Sequence, residues 1–257
     1  KGEVAEIYEA YRAHRTRPTD DAPAGAYRFR PLTAFAEIDP LGSTCALMKN
    51  PFMLRVVTAA YHGKRLSPEL RFDEAMDLFV DEVVVEKNAP AGPYPERRRW
   101  LDDLVRAFAS AGESSLSIEA LRKVPELRRA LENPERDSAY VQLVELGVLV
   151  ESWEGRECRV RFGFDRLFED QLARLYEPDL DQPEDLVALA KRAAVFGSLR
   201  GALAILLGRA THHGRATFIG EALRVARDGS GDEGAILRRA AVDALTALAR
   251  SRDPSTG

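Results

Sequence analysis

Apolar residues recur at helical spacing along almost the whole chain, and this period changes only once, between residues 148 and 162. In "GEVAEIYEAYRAH" the apolar positions follow the i, i+3, i+4, i+7 spacing of an amphipathic helix. Stretches rich in Pro, Gly and Asp, such as "RTRPTDDAPAG" and "NAPAGPYP", separate the helical segments. The sequence therefore predicts a mainly α-helical protein that contains one small β element.

The change of period predicts that β element. "VLVESWEGRECRVRFGF" holds two short runs, 148–153 and 158–162, around "EGRE", and Gly155 suits the turn of a β-hairpin. Three helices are predicted before the hairpin: one over 96–110, a short one in "SSLSIEALRKV", and one in "DSAYVQLVELG" that ends with Gly147 at its C′ position. Three helices followed by a two-stranded wing indicate a winged helix, and "DRLFEDQLARLY" predicts a further helix after it.

The other predicted helices lie on either side of this region. Helices are expected over 51–61 and over 72–87, the second with Val83 among its buried residues. After residue 183 the chain is rich in Ala and Leu, and three segments predict antiparallel helices joined by short turns, with a HEAT-like pattern in the last. We therefore expect a helical domain over 1–69, a winged-helix domain over 70–178 and a helical-repeat segment over 183–257.

Composition limits the classes of function. The chain has 257 residues and a net charge of −4, which gives no general reason to expect binding to nucleic acid or to a membrane surface. Its two cysteines indicate neither a disulfide framework nor a zinc site, so a reducing cytoplasm is the expected location. No apolar stretch is long enough to span a bilayer, and no signal peptide is recognisable at the start.

The sequence lacks the common signatures of a catalytic site. It contains neither G-x-x-x-x-G-K-[ST] nor G-x-G-x-x-G, and no metal-ligand grouping or Ser/His/Asp arrangement is recognisable. Acidic pairs such as Glu169 and Asp170 lie on amphipathic helices, where we expect solvent to surround them. The chain by itself is therefore not expected to be an enzyme or to hold a metal or cofactor.

The stretch "MKNPFMLRV" places Asn50 and Pro51 directly in front of an apolar run. Proline is favoured at the first position of a helix, where its missing N–H leaves no bond unmade, and asparagine is a good N-cap. The simplest interpretation is a capped core helix that begins at Pro51.

The order of these segments resembles that of a known protein family. A helix ending "EIYEAYR", then "RPLTAF", "LMKNPFMLRVVTAAYHGKRLSP" and "FDEAMDLFVDEVV" are similar to the region after the nucleotide-binding domain of STAND ATPases, of the NACHT and bacterial NLR-like kind. "YVQLVELGVLVES" and "RVRFGFDRLFEDQLARLY" are similar to their winged helix and the helix that follows it. The resemblance covers residues 1 to about 178.

The resemblance implies specific nucleotide contacts. In that family a helical domain and a winged helix close over ADP, so Pro51 would pack near the adenine and Asn50 would cap its helix. Asp165 stands in "FGFDRLFE" where the family commonly has a histidine that contacts the β-phosphate. A carboxylate repels a phosphate unless a cation intervenes, and the alternative role of Asp165 is to cap the helix over 166–176.

The resemblance also implies a function for the whole chain. The chain would be the regulatory arm of a STAND ATPase whose P-loop domain, with ATP or ADP and Mg²⁺, precedes Lys1 in the same polypeptide. Activation would permit homo-oligomerisation, and an unknown protein trigger would bind the C-terminal repeats.

Two other functions remain open. A DNA-binding winged-helix regulator would need basic side chains on the helix before the wing, but "SAYVQLVELG" has no arginine, and only Arg156, Arg159 and Arg161 of the wing favour this alternative. A passive helical scaffold would explain the C-terminal helices but not the wing.

Overall fold

The computed structural model describes residues 6, 8, 9, 51–60, 72–85, 95–132, 138–180, 182–212, 216–228 and 232–252. Two compact units are present, one extending to Pro90 and the other comprising Ala91–Asp253. The described residues are mainly helical and contain one small antiparallel sheet, which confirms the predicted fold class. The predicted ranges 1–69, 70–178 and 183–257 do not coincide with these units, and their status as domains stays a prediction.

The first unit contains α1 (Pro51–Ala60) and α2 (Phe72–Phe79), which contact each other. The α2 helix continues directly into a π-helical turn, Val80–Val84, in which the Val85 N–H donates to the Val80 carbonyl at 2.9 Å. The prediction that Val83 is buried was wrong, because the wider turn rotates the following residues: Val80 and Val84 are buried instead, while Val83 is half-buried.

The first part of the second unit alternates helices with short strands. In chain order its elements are α3 (Glu96–Ala111), β1 (Ser115–Ser117), α4 (Ile118–Arg122), α5 (Pro125–Glu132), α6 (Ala139–Glu145), β2 (Leu149–Glu154) and β3 (Glu157–Phe162). The sheet order is β1-β3-β2, and both pairings are antiparallel. This order of helices, strand and hairpin is the arrangement of a winged helix.

Local differences from the prediction concern β1 and α5. Residues 115–117 were expected in a short helix, yet they form a strand, since Leu116 pairs with Val160 and completes the sheet. The helix α5 was not predicted. Gly147 has the positive φ, 65°, of the predicted helix C′ position, and Gly155 has φ 64° in the hairpin turn.

An aromatic cluster forms the centre of this part. The predicted apolar face of α3 is buried, including Trp100 and Phe108. The Phe108 ring centroid lies 5.8 Å from that of Phe162 and 5.4 Å from that of Phe168, and the last two rings stack at 4.8 Å. Phe168 belongs to the helix after the wing, so that helix shares the winged-helix core.

Among the described residues after β3, the chain forms five helices and one 3-10 turn, Glu177–Asp179. The helices are α7 (Asp165–Tyr176), α8 (Pro183–Val195), α9 (Ser198–His212), α10 (Ala216–Asp228) and α11 (Glu233–Arg252). The α9 helix contacts both α7 and α11, and α8 contacts α9, α10 and α11. The first of the three predicted C-terminal segments is thus divided at Phe196 and Gly197, and the HEAT-like repeat stays a prediction. Among the helices that the structure describes, none is long and apolar enough to cross a membrane.

Candidate functional site

The residues predicted to approach adenine lie at the start of α1. This helix begins at Pro51, as expected for a proline at a first helical position. Asn50 lies outside the described residues, so its role as N-cap stays a prediction. The adenine contact of Pro51 stays a prediction as well.

Asp165 is the first residue of α7, one position later than a capping residue. The N-cap is Phe164, with φ −136° and ψ 118°, and no side chain caps this end of the helix. The alternative role of Asp165 as the cap of a helix over 166–176 was therefore wrong, because the helix begins one residue earlier. The exposed Asp165 carboxylate in the first turn is stabilised by the helix dipole and repels a phosphate unless a cation intervenes, and its contact with the nucleotide stays a prediction.

The α6 helix occupies the position that reads a DNA groove in winged-helix regulators. Two of its polar side chains, Tyr140 and Gln142, bond to neighbouring elements, while Glu145 is exposed. The Tyr140 hydroxyl donates to the Glu151 carboxylate of β2, and burial followed by this hydrogen bond raises the pKa of Tyr140. The Arg97 guanidinium of α3 donates to the Gln142 side-chain oxygen. Both contacts bind α6 to neighbouring elements rather than leaving these groups to a ligand.

The central arginine of the hairpin is likewise engaged within the protein. Arg159 donates to the Ser115 carbonyl at 2.7 Å and to the Glu113 carboxylate at 3.1 Å. Its guanidinium also lies 3.8 Å from a Glu157 carboxylate oxygen and 4.0 Å from one of Glu154. Four residues of the protein therefore surround this cation and reduce its ability to bind a phosphate backbone.

Two buried charges, Asp170 and Arg209, lie between α7 and α9. With the partly exposed Arg174 and Glu177 they form a group that we call the Asp170 cluster: Asp170, Arg174, Glu177 and Arg209. Asp170 has no exposed surface, and its carboxylate accepts from Arg209 at 2.8 Å and from Arg174 at 3.2 Å. Arg209 also donates to the Glu177 carboxylate at 2.9 Å. Each buried charge has an opposite charge within hydrogen-bonding distance, as burial requires.

The prediction that Asp170 is solvated was wrong. On an isolated amphipathic helix its side chain would meet water, but α9 packs against α7 and brings Arg209 to it. One local signal was present: Asp170 follows the buried Leu167 by three residues and precedes Arg174 by four, so it lies on the inward face with a cation one turn away. The burial of the Asp170 carboxylate therefore depends on α9, which covers the inward face of α7.

A second set of contacts joins α8 to the winged-helix part. The Arg192 guanidinium lies 5.0 Å from the centroid of the Tyr176 ring and donates to the Ala109 carbonyl at 3.2 Å. Together with the Asp170 cluster, it connects the helices after residue 183 to α3 and α7. The elements of the second unit therefore form one body held by polar as well as apolar contacts.

No group of three or more His, Cys, Asp or Glu side chains able to hold a metal ion occurs within the described ranges. No model of a known protein family matches the chain. No curated protein matches it either.

Proposed function

We propose that this chain is the regulatory arm of a STAND-type signalling ATPase. In the parent polypeptide a P-loop domain holds ATP or ADP with Mg²⁺, and the arm favours the ADP-bound, inactive state until a protein trigger binds. Release of the arm then permits homo-oligomerisation. The support is the order of segments in the sequence, together with a helix before the wing, α6, that contains no Lys or Arg.

The observation that carries the proposal is the Asp170 cluster. A regulatory arm transmits a trigger at its C-terminal helices only if those helices move together with the winged helix. Asp170 and Arg209 are buried and paired across α7 and α9, so separating these helices would break this ion pair together with the packing of α9 on α7. Such a junction favours movement of residues 91–253 as one body.

The chain's own residues supply a lid rather than a phosphate site. Nucleotide binding is assigned to the P-loop domain, and Asp165 would approach a phosphate only through a cation, because its carboxylate repels the phosphate charge. Pro51 would contribute by packing on the adenine, in addition to starting α1.

Replacement of this proline tests the proposal in the full-length parent protein. Pro51→Ala is expected to lower the ADP bound per protomer after purification and to raise basal oligomerisation, because losing a contact made only in the closed state shifts the population toward the open one. Thermal stability after nucleotide removal should stay nearly unchanged, since the first helical position tolerates alanine. Bound nucleotide is measured after denaturing the protein and separating the released ADP.

Pro183→Ala is the matched control, because Pro183 also stands at the start of a helix, α8. It should leave the ADP content at the wild-type value. Equal ADP content in wild type and Pro51→Ala would contradict the adenine contact.

A DNA-binding regulator is the second candidate, and the exposed Arg156 and Arg161 of the hairpin favour it. Against it stand the inward-facing Tyr140 and Gln142 of α6 and the absence of Lys and Arg from residues 139–145.

A further inference from the structure

In the part of the chain that the structure describes, no strand covers the outer edge of β2. The strand lies at the side of the sheet, and β3 is the only strand that pairs with it among the described residues. The Gly163 N–H donates to the Val148 carbonyl at 2.8 Å, so Val148 and Gly163 form a hydrogen-bonded pair. Along an antiparallel pair of strands, hydrogen-bonded pairs alternate with pairs whose N–H and C=O groups point away from the partner strand. By that alternation, the N–H and C=O groups of Glu151 and Trp153 point away from β3, toward the open edge. An added strand would find donors and acceptors in register there.

The same edge carries a large exposed aromatic side chain. Trp153 is 70% exposed, whereas Trp100 of α3 is 6% exposed. Tryptophan contributes strongly to protein–protein contacts, and a strand edge with an exposed Trp combines backbone pairing with an apolar anchor. The side chain of Trp153 lies on the same face as Glu151, opposite Cys158 in the register.

The charges along β2 select the partner. The strand contains Glu151 and Glu154 but no cation, and the arginines of the hairpin lie in the turn and on β3. Two copies of the strand side by side would bring like charges together, which is unfavourable, and the carboxylates would also repel a phosphate backbone. Glu151 also accepts from the Tyr140 hydroxyl, and Glu154 lies 4.0 Å from Arg159, but both residues are exposed. They lie on opposite faces of the strand, so arginine or lysine at separate positions of an added strand would pair with each, and one beside Glu151 could lie against the Trp153 ring.

We propose that the outer edge of β2 docks an extended, arginine- or lysine-containing segment of a partner protein, which adds as a fourth strand beside Glu151, Trp153 and Glu154. Backbone hydrogen bonds at the open edge supply affinity, while the two carboxylates and the indole supply selectivity. This site is independent of the nucleotide-dependent function proposed above.

Peptide binding to the full chain tests the inference. The probe is a ten-residue peptide of Arg, Val and Thr, and the reference is the same peptide with Glu in place of Arg. The basic peptide is expected to shift the tryptophan emission to shorter wavelength, because Trp153 leaves water while Trp100 is already buried. The acidic peptide should bind at least about tenfold more weakly, since like charges face each other.

Three variants separate the contributions, with affinity measured by calorimetry. Trp153→Thr should weaken the basic peptide about tenfold by removing the anchor. Trp153→Pro should weaken it further, because it also removes an N–H that faces the open edge, and proline at such a position leaves the pairing with β3 intact. Glu154→Gln should weaken binding of the basic peptide by a smaller factor than Trp153→Thr does.

Matched controls are available on distant helices. Val242 of α11 is 57% exposed, and Glu126 of α5 is exposed. Val242→Thr and Glu126→Gln should leave peptide affinity unchanged, and circular dichroism melting should confirm that every variant is folded.

Several results would overturn the inference. They are no emission shift with the basic peptide at about 1 mM, equal affinity for the acidic peptide, or equal loss of affinity in the control variants. Dimerisation of the chain that is lost in Trp153→Thr would assign the edge to a second copy instead. Tighter binding of a single-stranded oligonucleotide than of the basic peptide would assign it to nucleic acid.

Discussion

Gly163, which follows β3, occupies a position where a single methyl group has no room. A Cβ at this position would overlap the carbonyl oxygen of Gly147 and lie 3.2 Å from a methyl carbon of Val150. The overlap with Gly147 involves backbone, so no side-chain rotation relieves it. The structure therefore requires glycine here for a close approach of two backbone segments at the base of the wing.

Replacing Gly163 with alanine is expected to lower the free energy of unfolding by about 1–3 kcal/mol, a typical cost of overpacking. The measurement is the midpoint of urea denaturation, followed by circular dichroism. Gly197→Ala is the control, because a Cβ there meets no atom within 4 Å. Equal midpoints for the two variants would show that the backbone at the base of the wing moves apart without cost.

At the scale of elements, the junction of α7 with α9 depends on the Asp170–Arg209 pair. Arg209→Met is expected to destabilise the protein by about 3–5 kcal/mol, because it leaves the buried carboxylate with less positive charge around it. The double variant Asp170→Leu/Arg209→Met should recover much of the loss, since neither member of the pair then remains buried as a charge. Urea denaturation of the two single variants and the double variant measures this coupling.

The exposed pair of Arg239 and Asp243 on α11 provides the control for that experiment. The Arg239 side chain is 80% exposed and lies 3.3 Å from the Asp243 carboxylate. Arg239→Met should change the unfolding free energy by less than about 1 kcal/mol, since surface ion pairs contribute little. If Arg209→Met also changed the unfolding free energy by less than about 1 kcal/mol, the Asp170 cluster would not hold α7 and α9 together.

For the molecule as a whole, the proposal assigns nucleotide binding to a separate P-loop domain and therefore predicts weak nucleotide binding by this chain alone. Calorimetric titration with ATP·Mg²⁺ and with ADP should give dissociation constants no tighter than about 1 mM, because the sequence has no P-loop to cradle the phosphates. No hydrolysis is expected. Micromolar affinity for either nucleotide would place a phosphate site within this chain and contradict the assignment of that site to a separate domain.

The proposal also predicts that the whole chain does not bind duplex DNA at physiological salt. The net charge is −4, α6 lacks Lys and Arg, and Arg159 is engaged by Glu113 and Ser115. Nonspecific DNA binding depends on phosphate contacts by cations, so electrophoretic mobility of a random duplex should not change at submicromolar protein. A shift that disappears with added salt would favour the winged-helix regulator instead.

Local patterns in the sequence were sufficient to predict most secondary structure. The face of α3, the hairpin around Gly155 and the helix end at Gly147 follow from the spacing of apolar residues and from the need for positive φ. These properties depend on residues close together in the chain, so a linear pattern contains them. The helix beginning at Pro51 was predictable for the same reason.

Tertiary structure alone decided which polar groups are buried and what they contact. Asp170 looked solvated because its partner Arg209 is 39 residues away, and the partners of Tyr140 and Gln142 lie on β2 and α3, where no pattern within α6 indicates them. Residues 115–117 became a strand only because β3 offers an edge to pair with. A side chain's environment is set by the elements packed against it, and contacts between segments distant in sequence leave no periodic signal in either one.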